Sequence, residues 1–210
     1  MYKKFRTLFK SSTPNQNAHR LTYGIMLGAA ILALFAAFTL TINKFAVLQN
    51  PDSQLACSVN LVVDCSKVMS TWQSQIFGFP NMVIGLMAFS VIITVAVLGI
   101  AGTRFPRWFL IAANIGFLLG TLFSYWLFFQ SVYAIQVLCP WCLLVTFTTT
   151  LMLATMTHVN LRENTFGLAK KLNKRVQAFL DKDFDKLIVA SWIVLLIVLT
   201  FLKFGSDLFA

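Results

Sequence analysis

The chain has 210 residues, of which 58% are hydrophobic and 11% charged. Soluble domains carry roughly a quarter charged residues, so this composition excludes an ordinary water-soluble fold and points to a protein that crosses a membrane several times. The formal net charge of +10 invites a nucleic-acid partner, but the basic residues alternate with apolar runs by membrane side instead of gathering into a patch, which excludes one.

Residues 1–20 read as a polar, mobile tail containing Ser11-Ser12-Thr13-Pro14-Asn15. A membrane helix needs about 20 mostly apolar residues, and the first such run is Leu21–Ile42. It exceeds the roughly 7–15 apolar residues of a secretory signal core and is read as an uncleaved helix. An outer loop over 43–79 follows, with a turn at Asn50-Pro51-Asp52 and two cysteines, Cys57 and Cys65. Val68, Met69 and Trp72 fall at helical spacing, which predicts a short helix from Cys65 to Trp72 resting on the bundle. Phe79-Pro80 marks entry to the second span, Pro80–Ala101, since proline is tolerated in a first helical turn. The third span is predicted over Arg107–Gln130. A turn at Ser131–Gln136 leads into the fourth, Val137–His158, which opens with Cys139-Pro140-Trp141-Cys142. In the segment 159–186, Leu168, Leu172, Val176, Phe179 and Leu180 recur every three or four residues, interleaved with Lys170, Lys171, Lys174 and Arg175. That pattern predicts an amphipathic helix on the cytoplasmic leaflet, with an ordinary solvated helix as the alternative. The fifth span is Leu187–Lys203, followed by a short outer tail.

Charge placement sets the orientation. Lys3, Lys4, Arg6, Lys10, Arg20, Arg104, Arg107, Arg162, Lys170, Lys171, Lys174, Arg175, Lys182 and Lys186 fall on one side of this five-span arrangement; only Lys44, Lys67 and Lys203 fall on the other. Basic loops stay in the cytoplasm, so the chain is expected in the plasma or inner membrane as a multi-pass protein with its N-terminus inside. All four cysteines then face the extracytoplasmic side, where disulfides persist.

Chemistry follows from the two pairs. With Cys139 capping the fourth span and Pro140 in the first helical position, both sulfurs of Cys139 and Cys142 lie at the positive end of the helix dipole, which favours thiolate. A Cys-x-x-Cys also serves zinc sites. A four-thiolate site would use every cysteine, but the first pair is eight residues apart instead of two to four. The two histidines, His19 and His158, fall on the cytoplasmic side. Two inert structural bridges form a second alternative. A redox relay is favoured because Cys57 and Cys65 sit on a loop that can move toward a soluble protein, whereas Cys139 and Cys142 are fixed at the membrane boundary. Disulfide exchange needs an attacking thiolate and an accessible sulfur. Leu143 follows Cys142, so no haem-attachment motif is present, nor is a dinucleotide fingerprint. A quinone is the remaining simple two-electron acceptor.

Cys57 and Cys65, Ser70-Thr71, Phe77-Gly78-Phe79-Pro80-Asn81 with Gly85, and Cys139-Pro140-Trp141-Cys142 together resemble the bacterial branch of the vitamin K epoxide reductase family, over about Leu21 to His158. The resemblance implies an all-α integral membrane fold, a four-helix transmembrane bundle around a quinone, here with a fifth transmembrane helix. The chain divides accordingly into a cytoplasmic tail (1–20), a catalytic bundle (21–158), a cytoplasmic amphipathic segment (159–186) and the fifth helix with its tail (187–210). By resemblance Cys142 stands next to the quinone, Cys139 is its partner in the active-site disulfide, Cys65 attacks Cys139, and Cys57 meets a thioredoxin-like protein. Asn81 matches an asparagine that hydrogen-bonds a quinone carbonyl, and Thr71 or Ser70 a small hydroxyl residue near the pocket. Thr146 stands where many members carry a tyrosine. Its shorter reach weakens the expectation of epoxide reduction and coumarin sensitivity, though not of quinone reduction. Some relatives are fused to a thioredoxin-like domain; this chain ends at Ala210, so a separate thioredoxin-like (DsbA-like) extracytoplasmic partner is expected. The implied activity is thiol–quinone oxidoreduction, with ubiquinone or menaquinone, in support of extracytoplasmic disulfide formation. Simpler roles remain for several residues. Asn81 can cap the second span, Ser70 and Thr71 can bond local backbone, and Trp72 and Trp141 suit interfacial anchors. Asp64 disfavours a thiolate at Cys65, which is therefore expected to be the more buried of its pair.

Overall fold

The computed structural model describes residues 14–50, 55, 57–58 and 63–208. The tail up to residue 13, and Pro51 and Asp52 of the expected loop turn, lie outside the described residues. The helices are α1 (Pro14–Gln49), α2 (Cys65–Ser70), α3 (Met82–Ile100), α4 (Arg107–Phe129), α5 (Pro140–Arg162), α6 (Lys170–Asp181) and α7 (Phe184–Leu208). A 3-10 turn spans Trp72–Gln75, and a π-helical turn, Gln130–Ile135, extends α4. Among the described residues, five helical segments are long and apolar enough to cross a membrane: His19–Gln49, Met82–Ile100, Arg107–Ile135, Pro140–Arg162 and Phe184–Gly205. The fold is an all-α integral membrane bundle. Among the described residues the β pairing is a single isolated parallel bridge, Val63 to Leu138.

α1 packs along both α3 and α5, and α5 packs along α4, whereas α3 and α4 barely touch. The four helices form an open arc, and a cavity fills its gap. Close approach comes from small residues, the usual device where lipid removes the hydrophobic drive between helices. Ala29, Ala30, Ala33, Ala36 and Ala37 make a buried stripe on α1. On α3, a Cβ at Gly85 would lie 3.3 Å from that of Ala37. One at Gly99 would lie 2.5 Å from the Tyr23 ring, so the upper and lower ends of the α1–α3 seam are both set by glycine. Ile31, Leu32, Phe35 and Phe38 stay exposed on the opposite side of α1, facing outward as lipid contacts do.

Several boundaries differ from the sequence expectation. α1 begins at Pro14, inside the expected tail, and continues past Ile42 to Gln49. The extra turns persist because Lys44 is buried and Val47 packs beneath the cysteine loop. The expected turn Ser131–Gln136 is mostly π-helical, and the chain reverses only at Gln136, whose φ is +57°. Val137–Cys139 is extended rather than helical. Helix α2 does form, with Met69 buried, but Trp72 lies beyond its end and is 68% exposed, with its ring set edge-on to Trp126.

α6 occupies the expected amphipathic segment. Leu180 is buried against the bundle while Leu172 and Phe179 remain exposed, and Gln177 Nε2 donates to the Leu161 carbonyl at 2.9 Å. α7 runs the length of α5. At one end His158 Nδ1 meets Asp185 Oδ2 at 2.6 Å, and midway Trp192 Nε1 donates to the Tyr125 hydroxyl at 2.7 Å. At the cysteine end, Phe204 is buried with Val132 and Leu138.

Candidate active site

The cysteines converge at the outer end of α5. Cys139 is the N-cap of that helix, with extended backbone (φ −111°, ψ 113°) and Pro140 directly after it, the arrangement that the Cys-Pro-Trp-Cys spacing implied. Cys57 and Cys65 are joined in a disulfide, and Cys139 and Cys142 are thiols. The Sγ atoms of Cys139 and Cys65 are 3.6 Å apart. Cys65 is the more buried of its pair, as the neighbouring carboxylate suggested, and Cys57 is itself only 8% exposed. The Cys142 thiol, together with the main-chain N–H groups of Cys142 and Trp141, pulls the Cys139 thiol below its ordinary range against the opposing effects of burial and the Asp64 charge.

Asp64 ties this geometry together. Its Oδ1 accepts from the N–H of Ser66 at 2.9 Å and of Lys67 at 3.4 Å, capping α2, and from the hydroxyls of Ser66 and Ser58. Its own N–H donates to the Leu138 carbonyl at 3.2 Å. One residue therefore links the neighbours of Cys57, Cys65 and Cys139. Burial pushes its carboxyl up, but those four donors prevail and hold it below the ordinary carboxylate range. At the other end of α2, buried Lys44 donates to the Met69 carbonyl at 2.8 Å, a cation at a helix C-terminus. Asn43 Nδ2 lies 3.8 Å from Cys57 Sγ.

Beneath α2 and the 3-10 turn lies a cavity of about 200 Å³. Its walls include Ala37 and Leu40 of α1, Gly85 and Phe89 of α3, Gly120, Phe123 and Ser124 of α4, and Thr146 of α5, and Cys142 faces it. Thr71, Gln73, Ser74 and Asn81 close its outer end. Most of the lining is apolar. Two buried oxygens at that end, Asn81 Oδ1 and Gln73 Oε1, have no hydrogen-bond partner.

This is a disulfide in contact with a dithiol, the dithiol opening on a mostly apolar chamber within a membrane bundle. A family model, the vitamin K epoxide reductase family, matches residues 24–157. The chain belongs to that family. No curated protein matches the sequence. The match runs from α1 into α5 and leaves α6 and α7 outside. Membership makes the chain a membrane oxidoreductase.

Within that family framework the structure brings together most of the residues singled out in the sequence. Asn81 does not cap α3 through its side chain; its Nδ2 donates to the Gln73 carbonyl at 2.7 Å and its Oδ1 is left unpartnered. Thr71 lines the cavity, although its hydroxyl donates to the Val68 carbonyl at 2.8 Å. Ser70 does not line it: the helical phase of α2 turns it to solvent, where its hydroxyl bonds the Lys67 carbonyl at 2.8 Å. Thr146 is buried on the cavity wall, its hydroxyl donating to the Cys142 carbonyl at 3.0 Å. Trp141 packs edge-on against Phe35. Gln73, Lys44 and Asn43 were missed as site residues. An aspartate ahead of a helix is a readable cap signal, so the capping role of Asp64 was available; a polar Gln73 and a lone Lys44 read as solvated surface.

Proposed function

We propose that this protein is a membrane thiol–quinone oxidoreductase that reoxidises a separate thioredoxin-like protein and so supports disulfide formation outside the cytoplasm. The carrying observation is the 3.6 Å contact between Cys65 Sγ and Cys139 Sγ, with Cys142 facing an apolar cavity next to it.

A thiolate of the reduced partner attacks Cys57 Sγ, the Cys57–Cys65 bond breaks, and Cys65 leaves as a thiolate. The second partner thiol resolves the mixed disulfide and the partner departs oxidised. Cys65 then attacks Cys139 Sγ of an oxidised Cys139–Cys142 pair, releasing Cys142 as a thiolate toward the cavity. Cys57 attacks Cys65, which restores their bridge and frees Cys139. The main-chain N–H groups of Cys142 and Trp141, which bond Cys139 Sγ, would stabilise it as the leaving thiolate in that last exchange. Cys57–Cys65 bridged beside the two thiols of Cys139 and Cys142 is the stage this reaches. Because Cys57 is buried, partner attack requires the loop to open.

A quinone ring fits the chamber, which is mostly apolar, opens beside the Cys142 sulfur and carries two buried, unpartnered amide oxygens at its outer end. The oxygen end of the ring would face Asn81 and Gln73, whose free amide oxygens can accept from the hydroxyls of its reduced form, and the gap between α3 and α4 leaves room for an apolar tail toward lipid. When bound, a quinone provides a sink for two electrons and two protons from the Cys139–Cys142 dithiol. The basic residues flanking α1, α3 and α4, and those of α6, support an orientation with the N-terminus in the cytoplasm and α6 on the inner leaflet of the cell membrane.

The test is anaerobic turnover of the purified full-length protein with a reduced thioredoxin-like protein and a short-chain ubiquinone or menaquinone. One quinol per disulfide is expected, and none with Cys142→Ala. Unchanged quinol formation by that variant overturns the reading.

A further inference from the structure

Resting on the thiol–quinone reading, we infer that Gln73 is a second ring-binding residue, and that its Oε1 and Asn81 Oδ1 together make the cavity bind a hydroquinone more tightly than the quinone. Gln73 is 9% exposed, lies on the 3-10 turn Trp72–Gln75, and shares the outer end of the cavity with Asn81 and Cys142. The two carboxamides form one unit, because Asn81 Nδ2 donates to the Gln73 main-chain oxygen at 2.7 Å. That bond fixes the orientation of the Asn81 amide, since turning it over would set oxygen against oxygen. Both remaining amide oxygens are buried and without partners.

A buried carbonyl oxygen without a donor is costly, and such atoms in native proteins call for an explanation. The surrounding wall is apolar, and the nearby hydroxyls of Thr71, Ser74 and Thr146 already donate to the carbonyls of Val68, Met69 or Thr71, and Cys142. Among the described residues no donor reaches either oxygen, and we assign the donors to what enters the cavity. The oxygens of a quinone only accept hydrogen bonds, whereas the two hydroxyls of a hydroquinone donate. Each such bond is worth about fivefold in affinity, so two give a preference of about 30-fold. Tighter binding of the reduced form makes the bound quinone a stronger oxidant toward the Cys139–Cys142 dithiol by the same factor.

The experiment measures, by anaerobic titration calorimetry, the dissociation constants of a short-chain ubiquinone and of its quinol for the purified full-length protein. Cys142→Ser in every sample prevents electron transfer. The quinol is expected to bind about 30-fold more tightly than the quinone. Gln73→Met, of similar size but lacking the oxygen, reduces that ratio to about fivefold, while Gln73→Glu, which keeps an acceptor, retains it. Equal affinities for the two forms, a ratio unmoved by Gln73→Met, or equal weakening of both forms overturns the inference and leaves the thiol–quinone reading standing. Failure of either form to bind the parent protein overturns both.

Discussion

Replacing Asp64 with alanine removes the carboxylate that holds the cysteine loop shut. Its Oδ1 caps α2 through the Ser66 and Lys67 N–H groups and anchors the Ser58 hydroxyl. Loss of an aspartate cap costs about 1 kcal/mol. The Ser58 bond to a charged but partly solvated acceptor adds about 1 kcal/mol. The closed loop is thus destabilised by about 2 kcal/mol, a shift of about 30-fold in the ratio of open to closed states. The two halves of the relay respond in opposite directions. Opening exposes the buried Cys57 to the partner, and it separates Cys65 from Cys139, now 3.6 Å apart. In stopped flow, fully oxidised, quinone-free protein mixed with excess reduced thioredoxin-like protein oxidises two equivalents in two phases. The first consumes the Cys57–Cys65 bridge, and the second requires transfer from the Cys139–Cys142 bridge. Asp64→Ala speeds the first phase and slows the second, each by at most about 30-fold. Two phases that change in the same direction, or not at all, refute the role of Asp64 as the tie.

The same carboxyl has a pH signature. Its pKa is held below the ordinary range in the fold, so the stability it contributes is fully present above about pH 4 and lost as pH falls through the depressed value; the melting difference between the parent and Asp64→Ala is expected to be flat from about pH 5 upward and to vanish in acid. Gly99→Ala drives a Cβ into the Tyr23 ring and should destabilise the bundle by about 1–3 kcal/mol, read as a lower melting temperature in detergent, with an unchanged melt contradicting the close α1–α3 seam. Thr146→Val should change quinone affinity by less than about twofold, because the hydroxyl is already engaged by the Cys142 carbonyl; a tenfold loss in a binding titration would show that it reaches the ring. Cys65→Ala leaves Cys57 as a lone thiol, whose thiolate should open the disulfide of the oxidised partner in the reverse direction and give a Cys57 mixed disulfide on non-reducing gels, whereas capture through Cys139 would contradict the proposed order.

The parts legible in the sequence were those encoded locally. Five apolar runs read as spans because backbone in lipid must bond within its own helix. Cys139-Pro140 read as a helix start because proline belongs in a first turn. What escaped depends on contacts between distant segments. α1 continues to Gln49 because Val47 and Lys44 meet the loop, which no periodicity within α1 reveals. The extended stretch before Cys139 follows from pairing of Leu138 with Val63, across the whole bundle. Ser70 and Thr71, adjacent in sequence and treated alike, part company because α2 ends between them. Gln73 faces inward only because the 3-10 turn rolls it over the cavity, and the same turn sends Trp72 out.

The central claim is that electrons pass directly between Cys65 and Cys139. Its most direct test is the full-length protein carrying Cys57→Ala and Cys142→Ala, mildly oxidised in detergent and digested for mass spectrometry under non-reducing conditions. The 3.6 Å approach of the two remaining sulfurs predicts near-complete formation of an intramolecular Cys65–Cys139 bridge. Two free thiols, or bridges only between separate copies of the chain, would contradict it.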